Sequence, residues 1–181
     1  MSDRSRSATI TGNLGFLSVF QDPGGYVGGY LVTNSWGRPV EFRLTSAVQP
    51  NRVQHALYGP TLAEYLHADL IGKTLVEKTA AKPDLVITSS LPALGLRNRI
   101  DIPVVGLHLV ETDPIPSDLH SFSHSRSSLR LLLPPRFRED ESLIRERLDR
   151  VDESIDLAEP FARIQTAVAE HRKLGVPNRA A

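Results

Sequence analysis

Cysteine is absent from the 181 residues. That excludes a disulfide framework, a thiolate zinc site and a cysteine nucleophile. Neither sign of charge is in excess, with Lys plus Arg and Asp plus Glu at 21 each, so there is no overall electrostatic pull toward nucleic acid or an anionic membrane. No apolar run approaches membrane-spanning length, and Met1 to Ser7 is polar where a signal peptide would be apolar. The expectation is a cytoplasmic protein with no membrane partner. Also missing are a glycine-rich phosphate loop ending in lysine, a dinucleotide fingerprint and a nucleophile elbow. No cofactor is expected.

What is present is globular composition, 40% hydrophobic and 23% charged, and a length suited to one core plus an appendage. From Asn13 to Val48 the chain alternates and is punctuated by glycine, which predicts three antiparallel strands at Leu14 to Phe20, Tyr26 to Thr33 and Val40 to Ala47. Turns are signalled by Asp22-Pro23-Gly24-Gly25 and by Asn34 to Pro39, where proline presets φ and glycine supplies positive φ. Gly28 and Gly29 inside the second strand mark a bulge or a close approach.

After Pro50 the spacing becomes helical, with a short segment at Arg52 to Tyr58 and a longer helix from about Thr61 to Ala80. Leu85 to Thr88 and Ile102 to Leu109 read as buried parallel strands, with a short helix at Pro92 to Asn98 between them. Phe16, Val19, Leu31, Val86 and Ile87 are expected to share one core with Leu66 and Leu70. Thr112 to Arg130, rich in serine, reads as a mobile surface loop. Helices follow at Asp140 to Val151 and Leu157 to Leu174, the second with Asp156 and Glu159 as a capping pair and Gly175 and Pro177 as its stop. The expected division is an α/β core at 8–112, a mobile Ser/His/Arg/Pro-rich segment at 113–138 and a helical extension at 139–176.

The order of three antiparallel strands, helix, strand, helix, strand resembles the ribonuclease H-like mixed sheet. The residues that carry the resemblance are Asp22-Pro23-Gly24-Gly25-Tyr26-Val27-Gly28-Gly29-Tyr30-Leu31 and Asn51-Arg52-Val53-Gln54, and it covers residues 13–110. The resemblance implies a cleavage centre in which clustered carboxylates hold two divalent metals. Here Gln54 stands where that family has its helix glutamate, and Ser89 or Ser90 stands where its fourth strand ends in aspartate. A neutral amide and a hydroxyl do not neutralise two hard cations, so a non-catalytic member is expected and no metal site is predicted.

Open α/β sheets bind ligands at the carboxyl ends of their parallel strands, which makes Ser89, His108 and Glu111 candidates. Asp22, His108 and Glu111 could supply a metal, and Ser89 with His108 could form a nucleophile and its base. The plainer account makes the serines caps for the next helix. His120 and His124, four apart, read as solvated loop residues. Arg126, Arg130, Arg136 and Arg138, interleaved with Phe122 and Phe137, form a basic segment able to meet phosphates or an acidic partner. Leu157, Phe161, Ile164, Val168 and His171 make a heptad seam that packs on the parent domain or on a partner helix.

With the core lacking recognisable chemistry, the leading expectation is a non-catalytic accessory or scaffolding subunit of a larger bacterial protein assembly. It would bind other subunits, or itself, through Arg126, Arg130, Arg136, Arg138, Phe161, Ile164 and Val168. The alternative is a degenerate metal-dependent nuclease or a nucleic-acid-binding ribonuclease H-like module, with nucleic acid met through the basic segment.

Overall fold

The computed structural model describes residues 12–110 and 112–175. Three strands open the chain, β1 (Leu14–Asp22), β2 (Gly25–Thr33) and β3 (Pro39–Leu44). β1 and β2 pair antiparallel along their whole length, from Leu14 with Thr33 to Asp22 with Gly25, where Gly25 at φ 120° takes a turn conformation closed to side-chain-bearing residues. β4 (Leu85–Thr88) lies parallel to β1, and β5 (Val104–Leu107) parallel to β4. The hairpin of β6 (His120–His124) and β7 (Ser127–Leu133) completes a seven-stranded sheet of order β3-β2-β1-β4-β5-β7-β6. The expected α/β class stands.

Each face of the sheet is covered by helices, because successive side chains along a strand point to opposite faces. Phe16, Leu31 and Ile87 face one layer, α4 (Asp140–Asp149) and α5 (Glu159–Gly175), and are packed with Ile144, Leu148, Phe161, Ile164 and Val168. Leu17, Tyr30, Val32 and Val86 face the other layer. There α1 (Arg52–Tyr58) leads through a 3₁₀ turn (Gly59–Thr61) and α2 (Leu62–Glu64) into a π-helix (Tyr65–Gly72) and α3 (Lys73–Lys78). The single core expected from Phe16, Val19, Leu31, Val86, Ile87, Leu66 and Leu70 is therefore split by the sheet. Phe16, Leu31 and Ile87 lie on one side, while Val86 and Val19 lie on the other. Gly28 and Gly29 serve close approach on both sides, since a Cβ on Gly28 would strike Ile71 and one on Gly29 would strike Ile164.

Within 113–138, expected to be loop, the chain forms the β6–β7 hairpin. Leu131, Leu132 and Leu133 are fully buried, and β7 runs between β5 and β6, pairing Leu107 with Leu131 and Phe122 with Leu131 from its two sides. The two histidines tie the edge strand to α4. His120 Nε2 meets Glu141 Oε2 at 2.5 Å, and His124 Nε2 meets Asp149 Oδ1 at 3.1 Å. The hydrogen bond from His120 and the neighbouring Arg145 guanidinium hold the Glu141 carboxyl below its ordinary range. Serine-rich text read as loop because its apolar period is sparse, whereas the partners that order it lie more than twenty residues away.

The heptad seam packs inward. Phe161, Ile164 and Val168 are at most 5% exposed, and the Phe16 and Phe161 rings meet edge to face at 5.6 Å. These three residues are core, not a partner-binding face. Ahead of α5, Asp156 Oδ1 accepts a hydrogen bond from the Ala158 N–H at 3.0 Å. Replacing Ile164 with alanine is expected to cost about 2–5 kcal/mol, as buried aliphatic truncations do. Chemical denaturation measures this, and a loss below about half a kcal/mol would mean that α5 does not pack on the sheet.

Three buried side-chain polar atoms have no partner among the described residues, the Tyr30 hydroxyl and the Nε atoms of Arg147 and Arg163. The Tyr30 hydroxyl, on a fully buried side chain, makes no hydrogen bond among the described residues, and burial pushes its ionisation well above the usual phenol value. Deleting an unpaired buried hydroxyl removes a desolvation penalty. Tyr30→Phe is therefore expected to leave the melting temperature unchanged or raise it, and a clear fall would reveal a partner for the hydroxyl.

Candidate functional site

The carboxyl end of β4 meets the middle of β1 at the centre of the sheet. Parallel pairing sets Leu17 beside Thr88, and the ladder continues one step further with the Ser89 N–H donating to the Leu17 carbonyl at 3.2 Å. This register brings Ser18 and Ser89 side by side, their Oγ atoms 2.8 Å apart. Where the resemblance to ribonuclease H-like proteins implies an acidic end to the fourth strand, Ser89 stands instead, and its hydroxyl meets that of Ser18.

On the opposite face the next residues in the strand, Thr88 and Ser90, make a second cluster. Thr88 Oγ1 donates to the Leu17 carbonyl at 3.0 Å and accepts from the Ser90 N–H at 3.1 Å. Ser90 Oγ lies 2.5 Å from His67 Nδ1. The π-helical turn delivers His67, whose ring also leans on Tyr26, centroids 5.5 Å apart. π-helical turns are uncommon and often occur at functional positions. Burial pushes the His67 imidazole down to about 4, so the ring is neutral at physiological pH. Its bond to Ser90 uses Nδ1, and Nε2 has no partner among the described residues. Sequence reasoning missed His67. A single histidine in a helical stretch carries no periodic signal, and its partner Ser90 is 23 residues away.

A cleft of about 230 Å³ opens beside Ser89 at the end of β5, walled by Leu91, Leu109, Val110, Pro114 and Pro116 and bordered by His108 and Asp113. Ser89 and His108 thus line one cleft, but the His108 Nε2 is engaged by the Asp113 carbonyl at 2.9 Å and no Ser89 contact to the ring exists. The His108 N–H donates to the Arg130 carbonyl at 3.0 Å, which sets the Arg130 backbone, not its guanidinium, beside the cleft. Arg130 also binds the Ser121 carbonyl. The remaining arginines do not join it in one patch. Arg126 donates to the Val151 carbonyl at 3.0 Å, Arg136 lies over the Phe137 ring, and Arg138 follows the 3₁₀ turn after β7.

Asp22 sits at the tip of β1 and is ion-paired with Arg172 of α5, away from His108. Glu111 lies outside the described residues. Among the described residues no group of three or more His, Asp or Glu side chains could hold a metal ion. Gln54 is used structurally, accepting from the Asn51 N–H while Asn51 accepts from the Gln54 N–H, both at 2.9 Å, a capping box that starts α1. A hard dication needs charged oxygen ligands. The hydroxyl and imidazole donors at this strand end do not fit the two metals that the resemblance implies.

The fold, a mixed α/β sheet of seven strands with helices on both faces, has similar solved structures. Among solved structures the chain is similar to an endonuclease V from Bacillus subtilis, at 8% identity and a TM-score of 0.50, covering 90% of this chain and 83% of that one. It is also similar to two Ciona intestinalis endonuclease V structures in complex with inosine-containing DNA, at 12% and 13% identity and TM-scores of 0.44 and 0.45. These cover 93% of this chain and 90% and 91% of theirs. No protein-family model matches the sequence, and no curated protein matches it. The expectation of an accessory subunit in a protein assembly is overturned. The solved structures it is similar to are endonuclease V structures, and the seam assigned to partner contacts is buried against the chain's own sheet. Among the described residues no helix is long and apolar enough to cross a membrane.

The depressed His67 value gives a pH dependence of stability. Between its ordinary value of 6.5 and about 4, the unfolded chain takes up a proton that the folded chain refuses. Stability should therefore fall as pH drops through that window and be indifferent to His67 above it. His67→Gln is expected to flatten the decline. Urea melts of both proteins across the window measure it, and an identical pH profile would place His67 in solvent.

Proposed function

We propose that the chain is a nucleic-acid-binding module of ribonuclease H-like fold that has no two-metal cleavage. The observation that carries this reading is the chemistry where the carboxyl end of β4 meets β1, with Ser89 in place of the acidic strand end that the resemblance implies and its hydroxyl 2.8 Å from that of Ser18. Such a centre has no anionic oxygens with which to position divalent cations, activate water and stabilise a leaving oxygen. The surface around it remains suited to a ligand, since open sheets of this kind bind at the carboxyl ends of their parallel strands.

Nucleic acid is the ligand that the fold's neighbours favour, two of them being complexes with DNA. Exposed Arg130, whose backbone borders the cleft and whose guanidinium lies at Ser121 of β6, supports it. A cation there serves phosphate contact, which adds affinity without reading sequence. The neutral overall charge, 21 of each sign, makes binding moderate and confined to this region. Electrostatic contacts of this kind weaken as salt displaces them.

The test is fluorescence anisotropy with labelled single-stranded and double-stranded DNA and RNA over a series of salt concentrations. A parallel cleavage assay contains magnesium or manganese. Binding that weakens with salt, with Arg130→Ala weaker than the parent and all strands recovered intact, is the expected result. Metal-dependent cleavage abolished by Ser89→Ala, or no binding at low salt to any of the four substrates, would overturn the proposal.

A further inference from the structure

The two edges of the sheet are finished differently. At one, β6 is tied to α4 through the contacts of His120 with Glu141 and of His124 with Asp149. At the other, β3 has β2 on one side and no strand beyond it among the described residues. The Thr45 N–H donates to the Gly28 carbonyl of β2, and main-chain groups alternate sides along a strand. Arg43 therefore also addresses β2, while Phe42 and Leu44 turn their N–H and C=O groups outward, where they meet no partner among the described residues. Val40 is 50% exposed and Phe42 38%. An edge strand with free main-chain groups and exposed apolar side chains is a template for pairing with another chain.

We propose that the partner is a second copy of this chain, the two β3 strands pairing antiparallel about a two-fold axis at Phe42. The segment Val40-Glu41-Phe42-Arg43-Leu44 is self-complementary when read against itself in that direction. Phe42 meets the Phe42 of the second copy, Glu41 stands opposite Arg43, and Val40 opposite Leu44. Arg43 binds its own Glu41 through Nε at 2.6 Å, and its terminal guanidinium nitrogens make no hydrogen bond among the described residues, which leaves them for the Glu41 across the axis. The neighbouring register, centred on Arg43, would set the two guanidinium groups against each other, and like charges directly opposite are destabilising.

Shape agrees with charge. The exposed apolar residues Val40 and Phe42 lie in the first half of β3 and its middle. Along the second half runs an open groove of about 990 Å³, bordered by Leu44 and Thr45, by Lys78 of α3 and by Ala167, His171 and Leu174 of α5. Antiparallel pairing sets the first half of one strand beside the second half of the other, so each copy brings its Val40 and Phe42 to the groove of its mate. Leu174, 86% exposed in the single chain, is then beside apolar neighbours. One patch thus serves both subunits, as a two-fold interface requires. The bulge between β2 and β3, where Pro39 rather than Val40 stands opposite Thr33, keeps the new ladder short. Its core is the reciprocal pair of main-chain bonds at Phe42, so the side-chain pairs on either side decide whether the dimer forms.

Sedimentation velocity of the full chain, from low micromolar to submillimolar concentration, measures the association, and hydrogen exchange at the same concentrations reads the Phe42 and Leu44 amides. A monomer–dimer equilibrium in which both amides gain protection as the dimer forms is the expected result. Arg43→Glu turns two attractive cross pairs into two repulsive ones and should raise the dissociation constant about tenfold or more. Mixed with Glu41→Arg in equal amount it should recover a dimer that neither variant forms alone, since every glutamate then faces an arginine. Glu41 also accepts from the Ala80 and Ala81 N–H groups, so if Glu41→Arg does not fold, Phe42→Lys, which brings two ammonium groups together from an exposed position, is the second variant and should also give monomers. A monomer at every concentration would overturn the proposal, as would a dimer that persists in both Arg43→Glu and Phe42→Lys. Protected Phe42 and Leu44 amides in a monomer would mean that the chain covers its own edge, and would overturn it too.

Discussion

The parallel pairing of β1 with β4 is the contact on which the molecule depends. It joins the amino-terminal meander to the rest of the chain across 71 residues, from Leu14 beside Leu85 to Leu17 beside Thr88. It also sets the strand ends that face each other in the candidate site. A parallel pair needs a crossover that packs back onto the sheet, and the helical run from α1 to α3 provides it. Because both faces of β4 are covered, all four of its residues are buried, and a one-residue slip would exchange the two cores. Register and site geometry are thus the same constraint.

The helical crossover is unusual in its interior. A regular α-helix would advance each side chain by about 100°, whereas the π-helical stretch Tyr65–Gly72 is wound more widely and delivers His67 to Ser90 while Ala68 and Ile71 stay buried against the sheet. Gly72 closes that stretch because a Cβ there would stand 2.9 Å from the His67 carbonyl and 3.1 Å from Leu17. Close helix-to-sheet approach at Gly28 and the widened turn together put an imidazole at the strand end. Its environment is apolar enough to keep it neutral. The electrostatic character of the site follows from packing rather than from any charged neighbour.

The first half of the fold was legible because its signals are local. Alternation marks β1 and β2, Pro23 and Gly25 mark their turn, and the Asn51 to Gln54 cap marks the start of α1. The β6–β7 hairpin was not legible, since its histidines are ordered by Glu141 and Asp149 from a later helix. The heptad seam in α5 was legible as a stripe but not as to what it covers, because Phe16 and Gly29 on the sheet complete it. In the site, Ser89 and Ser90 could be read from their position after an apolar strand. Ser18 could not, being one polar residue inside a strand, and His67 could not, because only the tertiary fold brings it to Ser90. The imagined convergence of Asp22 with His108 failed on strand length. β1 continues five residues past its last partner in β4, carrying Asp22 out to Arg172.

Hydroxyls at this position hold the fold differently from the way carboxylates would. Two carboxylates brought within hydrogen-bond distance repel each other, and each costs several kcal/mol to bury unless a cation or donors compensate. A sheet with acidic strand ends therefore leans on its metal. Ser18, only 3% exposed, and Ser89 instead satisfy each other with one hydrogen bond, and Thr88 and Ser90 close their own circuit through the Leu17 carbonyl. Hydrogen bonds among hydroxyls and backbone groups thus hold the β1 and β4 register at this point.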